Sequence, residues 1–206
     1  MPSGRYTVMD GDGNPVGTEG FRCAPGPAGW RYFATIDTSA PEPHRETVDL
    51  VVDGDWRLVR LRIETGTHDL ELAPVDQGER LVGSLDGEPL ELPWGPEIEI
   101  DYLSPSFNAV TAKRLGRTED IDVVFLKPVT CEPIRARQRY EHFGTEKKET
   151  PVGTFEAARW QYTALGSGFT RPFWLAGDVV VSYEDVFELA VYEPGSGIAP
   201  LEDGRL

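Results

Sequence analysis

Cysteine, histidine, lysine and long apolar runs are all scarce in this 206-residue chain, and each shortage excludes something. The two cysteines, Cys23 and Cys131, are too few for a disulfide framework, and no Cys/His spacing suits zinc. They read as reduced thiols. The three histidines, His44, His68 and His142, fall on separate predicted strands without ligand spacing, so no metal or cofactor is expected. Basic residues number 20 against 35 acidic ones, a net charge of -15 that repels nucleic-acid phosphates and anionic lipid. Nucleic acid is therefore not an expected partner. No apolar run approaches the roughly 18 residues of a membrane helix, and Met1 to Tyr6 lacks a signal peptide's apolar core. The expectation is a cytoplasmic protein that does not insert into membranes. Helical periodicity is nearly absent as well.

What is present is period-two alternation interrupted every few residues by Gly, Pro, Asp or Asn, the pattern of a mainly β, antiparallel protein. Tyr6 to Met9 enters a turn at Asp10-Gly11-Asp12-Gly13-Asn14, Val16 to Cys23 leaves it, and Trp30 to Ile36 returns after a Pro25-Gly26-Pro27 loop. Val48, Leu50 and Val52 lead to a turn at Asp53-Gly54-Asp55. Strict alternation beyond it puts Trp56, Leu58, Arg60 and Arg62 on one face and Arg57, Val59, Leu61 and Ile63 on the other. Short strands follow to Asp101. After residue 116, strands run from Ile121 to Tyr192, with a turn expected at Gly144-Thr145.

One helix is expected, at about 104–115. Ser104 suits its N-cap, Pro105 its first position, Lys113-Arg114 its last turn and Gly116 its stop. Phe107, Val110, Thr111, Arg114 and Leu115 are spaced for one face. Roughly 13 strands and one helix form a single domain over 1–192, with 193–206 as a loose tail. A sheet that large must curl, and a lone helix fits its concave face, giving a spiral β-roll or half-barrel wrapped around the helix. Pro-Val-Gly-Thr opens a strand at both Pro15 and Pro151, which reads either as two similar turn exits or as equivalent corners of two half-sheets.

The segment Ile98-Glu99-Ile100-Asp101-Tyr102-Leu103-Ser104-Pro105-Ser106-Phe107-Asn108, continuing to Arg114-Leu115, resembles the spiral β-roll family described as glycolipid-binding. There a strand ending in Asp leads to a Ser/Thr-Pro turn, a short helix and an Arg-Leu pair. Phe173 to Leu189 is similar to that family's closing segment. The likeness covers mainly residues 97–190. It departs at Ser-Pro-Ser-Phe-Asn in the turn, at Val110-Thr111 before the basic pair and at Glu184 after Tyr183. The resemblance implies a many-stranded sheet around one helix, distantly similar to bacterial lipoprotein carriers that hold acyl chains on the concave side.

Other motifs fail on spacing. Asp10, Asp12 and Asn14 begin like a calcium loop, but Pro15 stands where the loop needs glycine and Phe21 where it needs an acid. Neither a dinucleotide fingerprint, a P-loop nor a nucleophile elbow occurs. Asp101, Asn108, Lys113 and Arg114 bracket the helix, either as junction ties or as the polar end of an apolar cavity. Arg135, Arg137 and Arg139 share one strand face, either as cross-strand ion-pair partners or as a mouth for an anion. The candidate ligand-binding set is Tyr102, Phe107, Asn108, Arg114, Phe125, Arg137, Trp160 and Trp174, with no catalytic or metal residue. The leading expectation is a noncatalytic protein holding a lipophilic small molecule, of glycolipid or acyl type, between sheet and helix. The alternatives are an enzyme using Asp101 or Asp178 beside an arginine, and an interaction module with a filled core.

Overall fold

The computed structural model describes residues 1–26, 29–40 and 42–201. Pro27, in the expected loop, and 202–206, in the expected tail, lie outside the described residues. The strands are β1 (Ser3–Met9), β2 (Pro15–Gly26), β3 (Gly29–Thr38), β4 (His44–Val52), β5 (Leu58–Thr65), β6 (Asp69–Val75), β7 (Arg80–Leu85), β8 (Glu88–Pro93) and β9 (Ile98–Asp101). After helix α1 (Pro105–Leu115) come β10 (Glu119–Leu126), β11 (Pro133–Thr150), β12 (Gly153–Ala164), β13 (Thr170–Ala176), β14 (Val179–Tyr183) and β15 (Phe187–Glu193).

All fifteen strands belong to one sheet, in the order β8 to β1 followed by β15 down to β9. Two meanders are thus zipped together by the antiparallel β1–β15 pair. The order puts β8 and β9 at opposite edges, roughly 65 Å apart if the sheet were flat. The five peptide links from Pro93 to Ile98 reach at most about 18 Å. The sheet must therefore curl until its edges nearly meet, which makes it barrel-like. No ladder joins β8 to β9 among the described residues, so the curl does not close.

The helix forms for the reasons its sequence gives. Ser104 is extended and its side chain accepts from the Ser106 N–H, Pro105 occupies the first turn, and Gly116 stops the helix at φ 61° with its N–H on the Ala112 carbonyl. Its burial differs from the expected single apolar face. Every residue from Pro105 to Ala112 is buried, including Ser106, Asn108 and Thr111, because the curled sheet encloses the helix instead of covering one side of it. Inside the roll, Tyr6, Phe21, Tyr32 and Trp30 form a ladder with successive centroids 4.9, 5.5 and 5.6 Å apart.

Four features depart from the expectations. Leu58 is buried together with Leu61 and Ile63 while Val59 is exposed, because a bulge pairs Val52 with Leu58 and Val51 with Arg60. Gly144 is not a hairpin turn: β11 continues through it for 18 residues, with the register shifting between His142 and Thr145 and Gly144 at φ 87°. The short β9 pairs parallel with β10, with α1 as the crossover. From Pro194 to Leu201 the chain returns to the sheet, since the Tyr192 hydroxyl donates to the Ile198 carbonyl (2.9 Å) and the Leu201 N–H to Thr154 O (2.6 Å).

Candidate functional site

The strand-to-helix junction at Asp101–Ser104 gathers polar groups that the sheet has drawn inward. On β2, Glu19 shares the inward parity of Phe21 and Cys23 and is fully buried; it accepts from the Tyr32 hydroxyl (2.6 Å) and Ser104 Oγ (2.8 Å). Burial pushes its carboxyl up to about 7, against those two hydrogen bonds. Glu46 shares the inward parity of Val48 on β4 and accepts from the Tyr102 hydroxyl (2.6 Å), with His44 Nε2 at 3.1 Å and the Val129 N–H at 3.3 Å. Asp101 accepts from Gln138 Nε2 at 2.5 Å, and burial raises it to about 6 against the Gln138 and Tyr102 N–H bonds. Three carboxyl groups thus surround the start of α1, the end of a helix that favours negative charge. Asn108, inside the first turns, donates to the Tyr140 hydroxyl at 3.0 Å.

Beside Asp101 and Gln138 opens a cavity of about 540 Å³. Its walls are mostly apolar and aromatic, with Phe125, Ala136, Tyr162 and Tyr183 among them, and its polar groups include Asp101, Asn108 and Gln138. Tyr162 stands edge-on to Tyr140 at 5.6 Å and 6.4 Å from Tyr183, which fixes the aromatic wall. Leu103, Ile134 and Phe169 line the same cavity and are among the most exposed large apolar side chains, at 47%, 39% and 37%. A second apolar cavity of about 580 Å³ shares Leu103, Phe169 and Val186 with the first and reaches Ile36 and Val8. An apolar trough therefore crosses the end of the roll at the helix N-terminus.

Of the eight residues singled out in the sequence, Tyr102, Asn108, Phe125 and Arg137 line the 540 Å³ cavity. Phe107 is buried beside Tyr102, with ring centroids 6.0 Å apart, and is not among the lining residues. Arg114 sits near the other end of the helix in ion-pair contact with Glu99, in a polar cleft of about 490 Å³ with Asp53 and Arg57. Burial pushes Glu99 up to about 7 despite Arg114. Trp160 stacks on His142 at 4.5 Å in a separate open cleft. Trp174 donates to Glu146 (2.7 Å) beneath the Lys148 ammonium at 3.7 Å.

The arginine row on β11 is largely a cross-strand device. Arg139 forks onto Asp120 at 2.5 and 2.9 Å, and Arg137 faces Asp122 at 3.3 Å, each the register partner on β10. Among the described residues neither Asp178 nor Asp101 has an arginine partner: Asp178 accepts from Trp30 Nε1 (2.7 Å) and Asp101 from Gln138. The Asp10 turn is self-satisfied, Asp10 accepting from the N–H groups of Asp12 and Asn14 at 2.9 and 3.1 Å. Among the described residues no three His, Cys, Asp or Glu side chains converge on one point, and no helix is long and apolar enough to cross a membrane.

A curled, barrel-like sheet around a buried helix, with an apolar cavity at one end, is the class of protein that this architecture defines. Crystal structures of two other proteins are similar to it in fold. The chain is similar to a DUF1089 family protein from Pseudomonas aeruginosa, with a TM-score of 0.56 and 20% identity over 82% of this chain and 91% of that one. It is also similar to a β-barrel-like protein of the domain of unknown function DUF1849 from Brucella abortus, with a TM-score of 0.51 and 12% identity over 93% and 98% of the two chains. At such identities the likeness is one of fold. No family model and no curated protein matches the sequence.

Proposed function

We propose that this protein binds a lipophilic small molecule, with an acyl-type or similar apolar body, in the cavity at the N-terminal end of α1. The observation that carries this reading is the cavity itself. It has a volume of about 540 Å³, aromatic walls, a polar floor at Asp101 and Gln138, and a rim of half-exposed Leu103, Ile134 and Phe169. Such a volume lies within the range of small-ligand sites, and apolar walls with a few placed polar groups are their usual chemistry. Exposed large apolar side chains at a rim favour an apolar ligand over a hydrophilic one. The barrel-like fold suits containment, since a curled sheet can hold a ligand where its interior is not filled by side chains.

The test is native mass spectrometry of the full chain purified from its own cells, followed by organic extraction. A discrete co-purifying mass, released at moderate collision energy and recovered in the organic phase, is the expected result. A bare-chain mass at the gentlest settings, together with failure to take up any neutral lipophilic dye, would overturn the reading.

A further inference from the structure

We propose that the cavity floor receives a protonated amine, so that the ligand is an amphiphile with an apolar body and an ammonium head seated against Asp101. This rests on the reading that the cavity holds a lipophilic molecule and specifies its polar end.

Hydrogen-bond capacity orients the floor of the cavity. An ionised carboxylate only accepts, so the contact between Asp101 Oδ2 and Gln138 at 2.5 Å fixes the glutamine with its NH₂ toward Asp101. Gln138 Oε1 is then an acceptor, and it is buried without a partner among the described residues. Gln138 is 2% exposed and lines the cavity, so the hydrogen-bonded pair of Asp101 and Gln138 forms its floor, with Gln138 Oε1 closed off from solvent.

The charge balance selects the kind of donor. Asp101 is 6% exposed, and no Lys, Arg or His pairs with it among the described residues. The groups around it are uncharged: Asn108 from α1, Gln138 and Tyr140 from β11, Tyr162 from β12 and Tyr183 from β14. Arg171, which bears on Tyr183, is engaged by Asp185 at 3.3 Å and by the Gly11 carbonyl at 2.9 Å. Arg135 and Arg137 also line the cavity but are exposed, and Arg137 meets Asp122. A buried carboxylate with no cation is costly, and an ammonium head neutralises it. The same head lies against the rings of Tyr162 and Tyr183, which line the cavity and whose faces attract cations. A carboxylate or phosphate head would instead meet Asp101 as a like charge, in a protein of net charge -15.

The experiment measures binding of dodecylamine, dodecanol and dodecanoate, each below its micellar concentration, to the full chain by calorimetry and native mass spectrometry. The proteins are the unmodified chain, D101N, and E88Q as a charge control on the exposed β8. The expected result is amine tighter than alcohol on the order of tenfold, with dodecanoate weakest. D101N brings amine and alcohol together, while E88Q keeps the ranking. In the unmodified chain the same amine preference fades as the pH falls from about 7.5 to about 5, where Asp101 takes up its proton, so the test stands even if D101N folds poorly. An amine preference that survives in folded D101N, or dodecanoate binding as tightly as the amine, would overturn the head-group assignment and leave the lipophilic cavity standing. If none of the three binds, the cavity reading falls and this inference with it.

Discussion

Thermal unfolding moves to higher temperature as the pH falls from about 8 to about 5.5, opposite to a protein held together by carboxylate salt bridges. The cause is two carboxyl groups that the fold buries with no cation paired to them among the described residues. Glu19 is raised to about 7 and Asp101 to about 6, from ordinary values of 4.5 and 3.8, in both cases chiefly by burial. Their folded-state affinity for protons exceeds the unfolded one. Between the two values the native state binds more protons, so stability declines as pH rises through the window and is lower by about 3 kcal/mol for each group above it. Repulsion within a chain of net charge -15 acts in the same direction. The surface carboxylates Asp10, Asp86 and Asp120 are shifted down by hydrogen bonds, so their contribution is lost only in more acid solution. E19Q keeps an acceptor for Tyr32 and Ser104 and flattens the profile. A melting temperature that stays level, or that falls as the pH falls, over this range would contradict the burial of Glu19 and Asp101.

Phe107→Ala lowers stability by about 3–5 kcal/mol. The Phe107 ring is 1% exposed, points from an enclosed helix and lies beside Tyr102. A helix on the outside of a sheet could settle into the space left by a lost ring. This one is surrounded, so the void persists and its lining loses contacts. Leu115→Ala, at the partly exposed end of the same helix, costs less than half as much. Urea unfolding of both variants gives the comparison, and equal, small losses would mean that the helix is not the plug of the roll.

The helix was the most legible element because its signals are local: Ser104, Pro105 and Gly116 each act through their own backbone. The strands were legible through alternation, except where a bulge inserts a residue, as at Val59, or lets a glycine sit inside a strand, as at Gly144. The parallel pairing of β9 could not be read, since four residues alternate alike in either direction. Enclosure of the helix was only half visible. Thr111 was readable with the apolar face and Asn108 as a junction or cavity residue, but that Ser106 and the whole run from Pro105 to Ala112 are internal follows only from the curl of the sheet around the helix.

The cavity residues Tyr102 and Asn108 were legible because they flank the junction where the pattern changes from strand to helix. Trp160 and Trp174 were not separable from them, because an aromatic in a strand carries no mark of which part of a roll it will occupy. Glu19, Glu46 and Gln138 went unremarked as candidates although their parity was readable: Glu19 alternates with Phe21 and Cys23, Glu46 with Val48 and Leu50. That Glu19 meets Ser104, 85 residues away, is a consequence of the curl and of nothing local.

The most direct test of the ligand cavity is to fill it. Ala136 is half-buried on the wall of the cavity of about 540 Å³, so an indole there would project into the cavity and obstruct it without displacing the buried helix. Nile red titrated into the unmodified chain should bind saturably at one site. A136W, with an unchanged far-ultraviolet spectrum and melting temperature, should bind it more weakly by on the order of tenfold or more. Equal Nile red affinity in a folded A136W protein would place binding elsewhere and contradict the account.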